Sequence, residues 1–349
     1  MVFEGQVCQI GKGVRHNSDF TGFLECCNKT FFGRGECMTD GKREDVLTVL
    51  RREGIREELL RGVEEFRRAY PVDEADRERI PHPEYMYYGK KVWEQALAAI
   101  LAGRNLLLAG PKATGKNVLA ENLAAAFLRP VWNVSFHIGT DASYLIGTDT
   151  YDGSRVIFRE GPVLLTALKG GFGVLDEINM AKNEALAVLH AALDFRRVLD
   201  VPGYARVELM PETRFIATMN YGYAGTRELN EALTSRFAVL DMPVISEEDL
   251  MKLIRGRFPD INEKICSQFV LLYLEISKKA EHGEISERAL DLRGLLDALM
   301  LIRQGLTSGE ALDMCIVNKS FDSYERSLIR DCVLARIPDD LTKEVVFRG

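Results

Sequence analysis

Residues 105–117, NLLLAGPKATGKN, constrain the fold of this chain more than any other stretch. The run NLLLA is short, apolar and closed by a glycine, which is the pattern of a buried strand. Gly110-Pro111-Lys112-Ala113-Thr114-Gly115-Lys116-Asn117 follows at once, and an amphipathic helix is predicted over 117–128. Strand, glycine loop and helix in that order make a phosphate cradle. Glycines let backbone N–H groups curl round an anion, and the helix N-terminus adds partial positive charge. Lys116 adds a full charge for the β- and γ-oxygens of a nucleotide. The candidate binding segment runs from Gly110 through Val118.

One position departs from the pattern G-x-x-x-x-G-K-[ST]: Asn117 stands where a hydroxyl normally meets Mg²⁺. Its carbonyl oxygen is an acceptable hard ligand for a cation that usually keeps several waters. Three readings stay open: Asn117 ligates Mg²⁺ directly, Mg²⁺ is held through water, or turnover is weakened.

Further along, residues 172–175 (FGVL) form an apolar run that delivers Asp176 and Glu177. In phosphoryl-transfer sites of this design one carboxylate holds Mg²⁺ through its water shell and another orients the attacking water. Asp176 is therefore the candidate metal residue and Glu177 the candidate base. A third apolar run, 214–218 (RFIAT), leads to Met219 and Asn220. Helical patterns separate the three, and Lys91 to Leu101 (KVWEQALAAIL) is another. Strands alternating with helices predict an α/β fold with a mainly parallel sheet covered on both faces. Ligands gather at the carboxyl ends of such strands, where all the candidate residues lie.

Composition narrows the alternatives. A net charge of −7 argues against affinity for nucleic acid through a broad basic face. Arg-rich residues 51–68 carry interleaved Glu, which predicts one solvated helix with i,i+4 pairs. No apolar run is long enough to span a membrane, and the first residues do not read as a secretory signal, so a cytoplasmic protein is expected. Of the seven cysteines, Cys8, Cys26, Cys27 and Cys37 lie near His16 without a zinc spacing. Cys266, Cys315 and Cys332 sit in apolar helical contexts and are expected to be core thiols.

The segment LDEINMAKNEALAVLHAALDFRRVLDVPGY, with TRFIATMN and LNEALTSRF after it, resembles the AAA+ superfamily and within it the MoxR-like, dynein-related branch. The resemblance covers roughly residues 85–300. It implies a P-loop NTPase core, a small C-terminal all-α lid, ATP and Mg²⁺ as ligands, and ATPase activity. By the same resemblance Asn220 matches the sensor-1 residue and Arg236 the arginine finger that reaches a neighbouring subunit. Arg293 matches the sensor-2 arginine of the lid, with Arg288 as its rival. Tyr88 and Gly89 match the position beside the adenine. Residues 147–162 and 197–214 resemble two inserted hairpins, the first equally readable as an ordinary surface hairpin turning at Asp152-Gly153. Arg227 reads either as a second trans-acting arginine or as a partner of Glu228 or Glu231, while Tyr221, Tyr223 and Phe237 read as packing residues and His137 as a satisfied histidine.

Three regions are expected: residues 1–84, partly helical and of no assigned role; an α/β core over 85–245; and a helical lid over 246–349. Lid helices are predicted over 250–258, 261–280, 290–304 and 308–317. The resemblance further implies a ring, a hexamer by family expectation, that remodels or activates a protein client, possible partners including a protein with a von Willebrand A domain. A nucleic-acid-linked motor and a nucleotide-gated scaffold with little hydrolysis are the competing classes. The acidic balance disfavours the first, and Asn117 keeps the second open.

Overall fold

The Arg-rich stretch 51–68 lies on two helices, α1 (Val46–Arg52) and α2 (Glu57–Ala69), in a computed structural model that describes residues 44–221, 229–286 and 291–348. The predicted i,i+4 pairing along one helix is corrected here. Arg51 reaches Glu57 and Glu64 at 2.9 and 3.1 Å, across the break at residues 53–56. The chain turns there, so charges that a single helix would stack along one face are brought together between two. Neither helix is merely solvated: Leu50, Leu60, Val63 and Phe66 are buried in the same core as the sheet.

After α2 come α3 (Lys90–Leu101), β1 (Asn105–Gly110), α4 (Lys116–Ala126) and β2 (Val131–Ser135). A short helix α5 (Ala142–Ile146) is interrupted by the hairpin β3 (Gly147–Tyr151) and β4 (Val156–Glu160) before α6 (Pro162–Lys169). Then follow β5 (Phe172–Asp176), the short helices α7 (Asn183–Leu186) and α8 (His190–Leu193), and a second hairpin, β6 (Val198–Asp200) with β7 (Arg206–Glu208). The core closes with β8 (Arg214–Asn220), α9 (Glu231–Thr234) and β9 (Phe237–Asp241).

Five strands pair in the order β2-β5-β8-β1-β9, all parallel. The three predicted strands are its centre. Every residue of β1 is buried, because both faces of a central parallel strand are covered. The edge strand β2 alternates instead, with Trp132 and Val134 buried and Asn133 and Ser135 exposed, so its apolar signal is half as dense. Period-two alternation sorts the core into two layers. Leu106, Leu108, Phe172, Val174 and Ile216 pack with α1 to α4. Leu107, Leu175, Phe215 and Ala217 pack on the other face, with Leu145, Val163 and Leu186.

The C-terminal residues are helical as predicted, in α10 (Glu247–Arg257), α11 (Glu263–Glu281), α12 (Leu292–Arg303) and α13 (Ser308–Cys315), with α14 (Ser323–Arg336) and α15 (Lys343–Val346) added. Ser246 caps α10 and Thr307 forms a capping box with Glu310 at α13, which set the starts of both helices. These helices have a core of their own around Phe258, Phe269, Leu295, Leu299 and Val333. Cys266, Cys315 and Cys332 are buried free thiols within it, their pKa values pushed up by burial. Cys8, Cys26, Cys27, Cys37 and His16 lie outside the described residues.

Asn122, completely buried on α4, ties the segment at Tyr85–Tyr87, just before α3, to the core. Its Oδ1 accepts the Tyr87 N–H and its Nδ2 donates to the Tyr85 carbonyl, both at 2.9 Å. Removing it leaves two backbone groups without partners away from water, each worth roughly 1–3 kcal/mol. Asn122→Ala is therefore expected to lower unfolding free energy by about 2–4 kcal/mol. Urea denaturation checks this, and a loss below about 1 kcal/mol would contradict it.

Candidate functional site

The register sets the site. Gly110 pairs opposite Asn220, Leu175 opposite Ala217 and Ser135 opposite Asp176, so β1, β5 and β8 end at one level. A cleft of about 620 Å³ opens there. Tyr88, Gly89, Lys112, Ala113, Thr114, Gly115, Lys116, Asn117 and Val118 line it, as do Asp176, Glu177, Asn220 and Arg293. Gly110 and Pro111 lie behind its wall and take part through their carbonyls. A Cβ on Gly110 would come within 2.9 Å of the Met242 carbonyl, so only glycine lets the loop turn so close to the end of β9.

Lys116 begins α4 and is 7% exposed. Its Nζ donates to the carbonyls of Gly110 and Pro111, at 3.0 and 2.6 Å, and to Thr114 Oγ1 at 3.2 Å. All three are neutral acceptors. Burial pulls its pKa down to about 8, against the opposing pull of the Asp176 and Glu177 charges. A buried ammonium held by neutral oxygens is a site shaped for an anion. Gly115 before it has φ +79°, and a Cβ there would sit 3.2 Å from the Tyr87 ring. That ring also backs Gly89, 3.1 Å from the place of its absent Cβ. Tyr87 thus joins the phosphate loop to the wall formed by Tyr88 and Gly89.

Across the cleft, Asp176 Oδ1 accepts from Thr218 Oγ1 at 2.6 Å. Asn220 Nδ2 donates to Glu177 Oε1 at 3.3 Å, and its own carbonyl accepts from Asn179 Nδ2 at 2.9 Å. Glu177 has φ +53°, a left-handed backbone that costs a non-glycine residue roughly 1–2 kcal/mol. Such strain persists where surroundings over-determine it and gathers at functional sites. Asn117 is exposed on the first turn of α4 and makes no side-chain hydrogen bond among the described residues. No cluster of three or more His, Cys, Asp or Glu able to hold a metal occurs among the described residues. Asp176 and Asn117 suit a hard cation that takes its remaining ligands from phosphate and water.

The lid supplies Asp291, Leu292 and Arg293 to the cleft. Asp291 caps α12 by accepting the Arg293 N–H at 3.0 Å and is ion-paired to Lys319, which anchors the turn carrying Arg293. The rival Arg288 lies outside the described residues, as do Tyr223, Arg227 and Glu228. Arg236 does not line the cleft. Its Nε donates to the His190 carbonyl at 3.1 Å, and its guanidinium lies 3.5 Å from Asp194.

Sequence reasoning missed several residues. Thr218 was legible as the residue two before Asn220, on the same strand face. Asn122 was legible as a lone amide among Leu119, Ala120 and Leu123. Tyr87 carried no signal beyond its neighbour. Tyr221 is a correction: it is 45% exposed rather than packed, because its hydroxyl donates to Asp241 Oδ1 at 2.6 Å at the end of β9. Phe237 packs as expected. His137 is satisfied, its Nδ1 accepting the Gly139 N–H at 3.0 Å. Both expected hairpins form, the first turning at Asp152, whose carboxylate accepts the Ser154 and Arg155 N–H groups. The two hairpins touch through Phe158 and Tyr204, with ring centroids 4.5 Å apart.

The depressed pKa of Lys116 has a sign that can be measured. Phosphate favours the ammonium form, which the free protein loses as pH rises through about 8. ADP affinity is therefore expected to fall above about pH 8, approaching tenfold per pH unit, with uptake of up to one proton on binding. Calorimetric titration in two buffers of different ionisation enthalpy reads that proton directly. Zero uptake at about pH 8.5 would refute the assignment.

Comparison with known proteins agrees with this geometry. A family model described as AAA domain (dynein-related subfamily) matches residues 105–237. The uncharacterized protein YojN of Bacillus subtilis is 34% identical over 242 residues, 68% of this chain and 79% of its own length. An uncharacterized protein of Staphylococcus haemolyticus is 32% identical over 256 residues, 72% of this chain and 97% of its own. Among solved structures, RuvB of Thermotoga maritima aligns with a TM-score of 0.44 at 17% identity, covering 72% of this chain and 71% of its own, a likeness too slight to carry weight. With the matched segment holding the phosphate loop, the acidic pair and Asn220, the chain belongs to the dynein-related AAA family and is an AAA+ ATPase.

Proposed function

We propose that this ATPase works as a Mg²⁺-dependent ring, each subunit completing its neighbour's site, and that turnover remodels or activates a protein partner. The hydrogen bond from Asn220 to Glu177, in the cleft that also holds Lys116, carries the hydrolytic part. Asn220 holds Oε1 of Glu177, and Oε2 is left to accept a proton from the attacking water. Lys116 binds the β- and γ-phosphates, and its desolvation is offset by their charge. Asp176 and Asn117 would hold Mg²⁺, which supplies further neutralisation of phosphate charge when bound. Tyr88 and Gly89 border the base, and Arg293 brings the lid to the nucleotide.

Arg236 acts in trans on this reading. Its absence from the lining of its own cleft supports that role. So does its fixed orientation between His190 and Asp194. Heterologous contacts of this kind close into rings when the rotation permits, and six subunits is the family's usual number. The two hairpins, joined by Phe158 and Tyr204, are the parts suited to moving a client. A protein with a von Willebrand A domain is the partner class implied by the MoxR-like branch. The charge of −7 disfavours nucleic acid. Among the described residues no helix is long and apolar enough to cross a membrane. Cytoplasmic placement fits the three buried free thiols.

Two outcomes are expected. Glu177→Gln keeps ATP binding and loses about 10²-fold or more in turnover, read by phosphate release against nucleotide titration. Wild-type turnover in that variant would remove Glu177 as the base. Arg236→Ala alone is inactive, but mixing it with Lys116→Ala subunits restores activity, because each supplies what the other lacks. Failure of every mixing ratio to recover turnover would argue against a finger acting in trans.

A further inference from the structure

We propose that Thr218 is the positioning residue of the acidic pair, fixing the Asp176 side chain and the Glu177 backbone through a single hydroxyl. The inference rests on Glu177 being the base.

Alternation along β5 places Phe172 and Val174 on the face covered by α4 and Leu175 on the other, so Asp176 follows onto the α4 face. Glu177 would by the same alternation point to the opposite face. It lines the cleft beside Asp176 instead, and the left-handed φ of +53° at Glu177 is the turn that brings it there. Something must hold that turn.

Thr218 stands beside it. By alternation with Ile216 it faces α4, it is 1% exposed, and it lies one step past the pairing of Leu175 with Ala217. Its Oγ1 donates to Asp176 Oδ1 at 2.6 Å and accepts the Glu177 N–H at 3.0 Å. The direction of both bonds is determined. An amide N–H can only donate, and an ionised carboxylate can only accept, so the one hydroxyl proton goes to Asp176. Two further bonds brace the turn: Phe136 N–H to the Asp176 carbonyl at 2.9 Å, and Met180 N–H to the Glu177 carbonyl at 2.8 Å. Neither touches the Asp176 carboxylate or the Glu177 N–H. Thr218 alone among the described residues bonds to both, and Asn220, two residues on along the same strand, then takes hold of the Glu177 carboxylate.

Thr218→Val keeps the shape and removes both bonds. It is expected to lower kcat at least about tenfold while the ATP KM and ADP affinity stay within about threefold, since the phosphate loop is untouched and misplacement falls on the chemical step. Amide hydrogen exchange at Glu177 should accelerate in the same variant. Thr218→Ser, which keeps the hydroxyl, should return turnover to within about threefold of wild type. If Thr218→Val does not fold, Ser against Ala gives the same reading, as both lose the methyl and differ only in the hydroxyl. Wild-type kcat in Thr218→Val, or equal loss in Ser and in the hydroxyl-free variant, would overturn the proposal. Glu177→Gln run alongside separates the two claims. Full activity there removes the base itself, whereas an inactive Glu177→Gln beside a fully active Thr218→Val removes only Thr218.

Discussion

Strand β8 is hydrogen-bonded to β1 on one side and β5 on the other, and the site follows from that double pairing. The phosphate loop leaves β1, the acids leave β5, and Asn220 leaves β8. Parallel strands in register end together, so groups more than a hundred residues apart meet without any loop having to aim them. A slip of one residue in β8 would turn Thr218 and Asn220 to the opposite face and bring Met219 to the acids. The buried residues on both faces of β8 resist such a slip, because either direction moves apolar side chains out of their layer.

Around this frame the protein holds two unfavourable arrangements. One is the Lys116 ammonium, removed from water with only neutral oxygens as its hydrogen-bond partners. Desolvating a cation is costly, and burial lowers the Lys116 pKa despite the opposing pull of Asp176 and Glu177. The other is the left-handed backbone of Glu177. Both lie on the cleft wall, and the strong apolar packing of β1, β5 and β8 beneath them is what lets the fold carry them.

The 85–89 segment and the lid are tied to the loop by different means. Asn122 and the Tyr87 ring link the 85–89 segment rigidly to α4. The lid keeps a separate core, which Tyr85, Tyr88 and Ile245 flank as partly buried neighbours. Two cores bordering one cleft are the arrangement in which a lid can move as a body while the loop stays put.

How much of this was legible beforehand depended on range. Local signals were decisive where one segment carries its own chemistry. The strand–glycine–lysine–helix run and the apolar strands ending in Asp176 and Asn220 read correctly from residues a few positions apart. Edge strand β2 went unread, since its exposed face carries polar Asn133 and Ser135 and halves the apolar pattern. The break between α1 and α2 was misread because Arg and Glu at helical spacing look the same whether they pair along a helix or across a turn. Sequence by itself determined the residue types of the site and the strand ends that carry them. Tertiary structure alone decided that Thr218 joins Asp176 to Glu177, that Tyr87 backs two glycines, and that Arg236 sits away from its own cleft. Each of these is a contact between elements distant in the chain, set by strand register and packing, which no local spacing encodes.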